Sequence, residues 1–114
     1  MMETFGQLLK ELRRKAGVSQ RDLASEVGVD FSYISKVEND RLPPPSADTI
    51  VKICEVLKTP SDALLAMTGK IPTDVKNMLS SNPLAQQFIR EAQTMKLNDI
   101  EWKQLSQKLK KLRD

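Results

Sequence analysis

The chain has 114 residues, with 18 Lys/Arg against 15 Asp/Glu (net +3), 39% apolar and 4% aromatic content, four Gly, one Cys and no His. That length suits one compact domain, at roughly 100–200 residues per domain, or a small domain with an appendage, and the scarcity of Gly and aromatics favours helices over a sheet. Without His, and with a lone Cys, the usual metal-ligand sets, His-based triads and disulfide frameworks are excluded, so neither catalytic residues nor a metal or cofactor is expected.

Thr4 with Gln7 forms a capping box that opens a first helix, and Phe5, Leu8, Leu9, Leu12 and Ala16 share one face before Gly17 closes it. Ser19 with Asp22 caps a second helix carrying Leu23, Ala24 and Val27, which Gly28 stops after about two turns. Asp30 is placed as the cap of a third short helix, in which Ile34 and Val37 form the inward pair. Pro43-Pro44-Pro45 forces a loop. Ser46 then caps a fourth helix with Ile50, Val51, Ile53, Cys54 and Leu57. Thr59 before Pro60 is placed as the cap of a fifth, bearing Ala63, Leu64, Leu65 and Met67 and ending at Gly69.

The character changes at Lys70-Ile71-Pro72, which sets a boundary between residues 1–70 and 71–114. Thr73, Asn82-Pro83, and Asn98 with Glu101 mark further helix starts. Leu84, Ala85, Phe88, Ile89, Ala92 and Met95 form an apolar stripe. Trp102, Leu105, Leu109 and Leu112 follow at the spacing of a helix packed on a partner helix. Residues 1–70 hold ten basic and ten acidic residues, so the whole positive excess lies in the tail. The chain has no run of 18 apolar residues, and Met1-Met2-Glu3-Thr4 lacks the basic start of a leader, so a cytoplasmic protein with no membrane partner and a reduced Cys54 is expected.

The informative unit is Ser19 to Val37. Two helices this short cannot bury a face alone, but joined by the turn at Gly28-Val29-Asp30 they make a helix-turn-helix, whose second helix can lie in a DNA major groove. Ala24 falls at the closest approach of the two helices, and Leu23, Val27, Val29, Ile34 and Val37 supply the shared core.

Leu12-Arg13, Gly17-Val18-Ser19-Gln20, Leu23-Ala24, Gly28-Val29, Ile34 through Asn39, and Pro45-Ser46 stand at fixed spacings. On these, residues 5–67 resemble the Cro and lambda-repressor type helix-turn-helix, the XRE family of bacterial and phage regulators. The resemblance implies an all-α fold: a five-helix lambda-repressor-like DNA-binding domain over residues 1–70, then a short helical region for dimerisation or regulation over residues 71–114. It also implies a sequence-specific transcriptional regulator, a repressor that binds an inverted-repeat operator on double-stranded DNA as a homodimer.

Carried over position by position, the resemblance places Gln20, with Arg21 beside it, at the start of the second helix, where the family clamps a backbone phosphate. It places Phe31, Ser32, Tyr33, Ser35 and Lys36 on or beside the exposed recognition positions, with Lys36 suited to guanine and an aromatic ring to a thymine methyl. Phe31 fits equally as a core-flanking hydrophobe. Asn39 and Arg41 are phosphate candidates. Arg13 and Glu38 match a pair that ties the first helix to the third, and Asp40 stands where the family often has glycine.

Phe88, Ile89, Trp102, Leu105, Leu109 and Leu112 are the candidate dimerisation residues, because short apolar helices need a surface to cover them. The alternative is an antitoxin or partner-controlled module whose tail holds another protein. The run Gly69 to Lys76, with Asn82-Pro83, resembles tails of XRE regulators from mobile elements, some of which a metallopeptidase inactivates.

Overall fold

The computed structural model describes residues 3–114; the Met1-Met2 start of the leader argument lies outside the described residues. Eight helices and no strand are present among them: α1 (Phe5–Lys15), α2 (Gln20–Val27), α3 (Phe31–Glu38), α4 (Ala47–Leu57), α5 (Asp62–Thr68), α6 (Thr73–Ser81), α7 (Pro83–Met95) and α8 (Asp99–Lys110). The all-α expectation is met. Two compact units divide the chain, Met1–Val75 and Lys76–Asp114. The first runs past Lys70 because the Thr73 amide and hydroxyl both donate to the Asp48 carboxylate, at 2.9 and 2.6 Å.

In the first unit the caps form as their chemistry requires. Thr4 and Gln7 bond reciprocally, and the Ser19 and Ser46 hydroxyls accept from the Asp22 and Thr49 amides. Gly28 closes α2 in the left-handed region at φ 86°, where a side chain would be strained. Two caps differ from expectation. Asp30 occupies the N-cap of α3 with an extended backbone but makes no side-chain cap bond. Thr59 does not start α5: its amide donates to the Cys54 carbonyl and closes α4 around Lys58 at φ 55°, so α5 begins later, at Asp62.

Helix α2 packs on α3 and α4, while α1 packs on α3 and α5. Leu9, Leu23, Ile34, Ile50, Ile53 and Leu64 are fully buried at their meeting point, with Phe5, Ala24, Val37, Cys54 and Leu57 around them. On α5 only Leu64 is buried; Leu65 is half-buried, and Ala63 and Met67 face solvent. Burial, followed by the charge of Asp62, pushes the Cys54 thiol up, which keeps it protonated and poorly nucleophilic.

In the second unit Asn82 caps α7 through the Leu84 and Ala85 amides, and Asn98 with Glu101 forms a capping box on α8. Lys96 turns the chain between α7 and α8 at φ 50°. Ala92 is the buried residue of α7, and Leu105 of α8 is half-buried. Leu112 lies beyond α8, in the closing turn, so the expected helical stripe loses its last member.

Gly6 holds α1 against the end of α3. A Cβ there would stand 2.5 Å from the Val37 carbonyl oxygen and 2.6 Å from that of Glu38, both backbone atoms with no freedom to yield. Gly6→Ala is expected to destabilise the fold by about 1–3 kcal/mol through overpacking, measured by urea denaturation.

Candidate nucleic-acid interface

The two buried side chains Ile34 and Val37 fix the roll of α3, and the opposite face is thereby turned outward. Ser32 and Lys36 lie on that face in solvent, Ser35 is half-buried at its edge, and Phe31 is exposed in the first turn, on the Ile34 side of the helix. Tyr33 is half-buried against the core rather than fully presented, and that burial raises its phenol pKa. Phe31 is 41% exposed and stands outside the buried core cluster.

A buried charge pair orients α3 against α1. Arg13 Nε donates to Glu38 Oε2 at 2.6 Å and its Nη2 to Oε1 at 3.0 Å, a bidentate fork. Nη1 donates to the Val18 carbonyl at 2.9 Å, which holds the turn before α2. The Gln20 Nε2 donates to Glu38 Oε1 at 2.9 Å, so one carboxylate gathers α1, α2 and α3. Gln20 thus sits half-buried with its amide engaged within the protein.

Arg21 and Phe31, ten residues apart, are brought together: the guanidinium carbon lies 4.6 Å from the ring centroid. Asn39 donates from Nδ2 to the Ser35 carbonyl at 2.9 Å. Arg41 is exposed, its amide donating to the Lys36 carbonyl. Asp40 adopts φ 58°, and from there its carboxylate accepts from the Thr4 hydroxyl at 2.7 Å and the Gly6 amide at 3.1 Å, anchoring the start of α1. These two bonds to the start of α1 hold Asp40 in the left-handed backbone that glycine would otherwise be needed for. Lys70 Nζ donates to the Pro44 and Pro45 carbonyls at 3.3 and 2.9 Å, pinning the loop after α3.

Sequence reasoning missed the Arg21–Phe31 stack and the Asp40 and Lys70 anchors. None carries a periodic signal. A left-handed Asp just beyond a helix is the one feature that composition could have suggested.

In the second unit Phe88, Trp102, Leu105, Leu109 and Leu112 line one open groove of about 390 Å³. Ile89 is exposed but outside that lining, and Leu84, Met95 and Ile100 are exposed apolar residues as well.

The helix-turn-helix domain family matches residues 4–67, more than half of the chain, and the chain belongs to the XRE-type helix-turn-helix regulators. That family consists of DNA-binding transcription regulators and not of enzymes. Among its relatives, the uncharacterised regulator RghRB of Bacillus subtilis is 41% identical over 70 residues, covering 61% of this chain and 50% of RghRB. The repressor RghR of the same organism is 37% identical over 70 residues, covering 61% and 52%. This chain therefore spans about half the length of those two. The regulator SinR of B. subtilis is 31% identical over 90 residues, covering 79% of this chain and 78% of SinR.

A crystal structure of SinR in complex with DNA superposes with TM-score 0.51 at 34% identity, over 54% of this chain and 98% of that one. The SinR protein in its complex with SinI superposes with TM-score 0.52 at 24% identity, over 94% and 95%, a likeness of fold alone. Among the described residues no helix is long and apolar enough to cross a membrane.

Arg13→Ala would leave the Glu38 carboxylate buried with a single amide partner. A loss of about 3–5 kcal/mol in unfolding free energy is expected from chemical denaturation, as for other broken buried pairs.

Proposed function

We propose that this chain is a transcriptional repressor that occupies an inverted-repeat operator as a homodimer, α3 of each copy lying in the major groove of one half-site. The observation that carries this reading is the roll of α3: Ile34 and Val37 are buried, which turns Ser32 and Lys36 outward together, with Phe31 exposed at the start of the helix. The DNA-bound SinR structure and the repressor RghR support it.

Lys36 and Ser32 read base edges, and the half-buried Ser35 and Tyr33 border them. Arg41 and Asn39 meet the phosphate backbone beyond the end of α3. Gln20, held by Glu38, sets the first turn of α2 against the backbone. Helix N-termini present amides without intrahelical acceptors, which suits an anion there. The first 70 residues are net neutral, so attraction to DNA comes from the placement of Lys36, Arg21, Arg41 and the helix ends and not from total charge.

Residues 76–114 supply the pairing surface, through Phe88, Trp102, Leu105, Leu109 and Leu112 with Ile89 beside them. A second copy covering these side chains removes apolar surface from water and doubles the DNA contact. The protein acts in the cytoplasm, where its DNA is, without a cofactor or metal.

Lys36→Ala is expected to lower affinity for a selected operator by about 1–3 kcal/mol and to relax one base preference, whereas Arg41→Ala weakens all sequences alike. Fluorescence anisotropy with operator and scrambled duplexes checks the division; equal losses on both duplexes for both variants would remove it.

Leu109 is 69% exposed, so Leu109→Asp leaves the fold intact, and it is expected to convert the dimer to a monomer in sedimentation equilibrium. A dimer that persists would assign the groove to a protein partner, of the toxin or metallopeptidase kind.

A further inference from the structure

We propose that Arg21 and Phe31 act as one recognition unit, in which the Phe31 ring meets the C5-methyl of a thymine while its face holds the Arg21 guanidinium ready for the adjacent phosphate. The proposal deepens the operator-binding reading above and rests on it.

The two residues sit on different helices, Arg21 in the first turn of α2 and Phe31 as the first residue of α3, with the guanidinium 4.6 Å from the ring centroid. Phe31 stands at the head of α3 outside the core cluster, and 41% of its surface meets solvent, so part of the ring is open to a ligand. Stacking uses the face of a guanidinium and leaves its in-plane N–H donors free, and among the described residues the Arg21 side chain makes no hydrogen bond or ion pair. The chain thus presents an apolar ring edge and a planar set of donors, fixed relative to each other. Arg21 is exposed and flexible on its own; the ring removes much of the rotamer freedom that binding would otherwise have to restrict.

A DNA step that matches this pair has a methyl in the major groove beside a backbone phosphate. Thymine is the natural base with that methyl. Phosphate is assigned to Arg21 over a base edge because the residue belongs to α2, which lies outside the reading helix, next to first-turn amides suited to the same anion. The pair couples sequence readout to backbone clamping. Loss of the ring costs the methyl contact and loosens the clamp together.

The test uses the full chain and a duplex that the chain itself selects from a random pool, with each thymine replaced in turn by deoxyuridine. Replacement of one thymine per half-site is expected to weaken binding about fourfold, the value of one buried methyl. Phe31→Ala abolishes that response. Phe31→Leu, which keeps an apolar edge but removes the ring face, retains it.

Arg21→Ala weakens every duplex alike and lowers the salt slope by about two, one phosphate contact per half-site. In the Phe31→Leu background the same Arg21→Ala change costs less, by about two- to fivefold, because the stack is already gone. Additive losses, or a wild type indifferent to every deoxyuridine, overturn the recognition unit and leave the operator reading standing. Failure of the wild type to select any duplex overturns the operator reading itself.

Discussion

The carboxylate of Glu38 is the point on which the helix-turn-helix unit turns. Its two oxygens take a bidentate fork from Arg13 of α1 and a further bond from Gln20 of α2, and Glu38 is itself the last residue of α3. A charge so buried is costly unless every lone pair finds a donor, and here the donors come from the two helices whose angles to α3 matter most. Apolar packing alone would tolerate small rotations of α3, since Leu, Ile and Val contacts have little directional preference. The hydrogen-bonded fork does not. The pair therefore contributes orientation, and with it the direction in which Ser32 and Lys36 point.

Around that pair the short helices are held by contacts that involve backbone more than side chains. Gly6 lets α1 touch the carbonyls at the end of α3, Asp40 returns to bond the start of α1, and Lys70 fastens the loop between α3 and α4. Each closes an otherwise frayed end. The C-terminal end of α3 is thus fixed by its neighbours. The Arg21–Phe31 stack extends the same economy of motion to the surface.

The two units are built on opposite plans. The first buries its apolar residues in one cluster, with no buried side-chain polar atom lacking a partner among the described residues. The second, Lys76–Asp114, has Ala92 as its buried residue and leaves Leu84, Phe88, Trp102, Leu109 and Leu112 exposed by 44% or more. A sequence stripe that reads as helical amphipathicity in both units therefore has two different outcomes. Amphipathic spacing says that a face needs covering, but it does not say by what.

The sequence by itself determined the helices and their ends, because caps and breakers act over three or four residues: Thr4 with Gln7, Ser19, Gly28, Ser46, Asn82 and Asn98 all stand where their local chemistry places them. It also determined the inward pair Ile34 and Val37 and, through spacing, the family. One local signal gave way to another at Thr59, whose amide closes α4 on the Cys54 carbonyl instead of opening α5. Only the tertiary structure decided that Gln20 belongs to Glu38, that Phe31 is exposed under Arg21, and that Tyr33 leans inward. Those outcomes depend on which side chains meet across helices 10 to 25 positions apart, and a one-dimensional pattern carries periodicity along an element but no distance between elements.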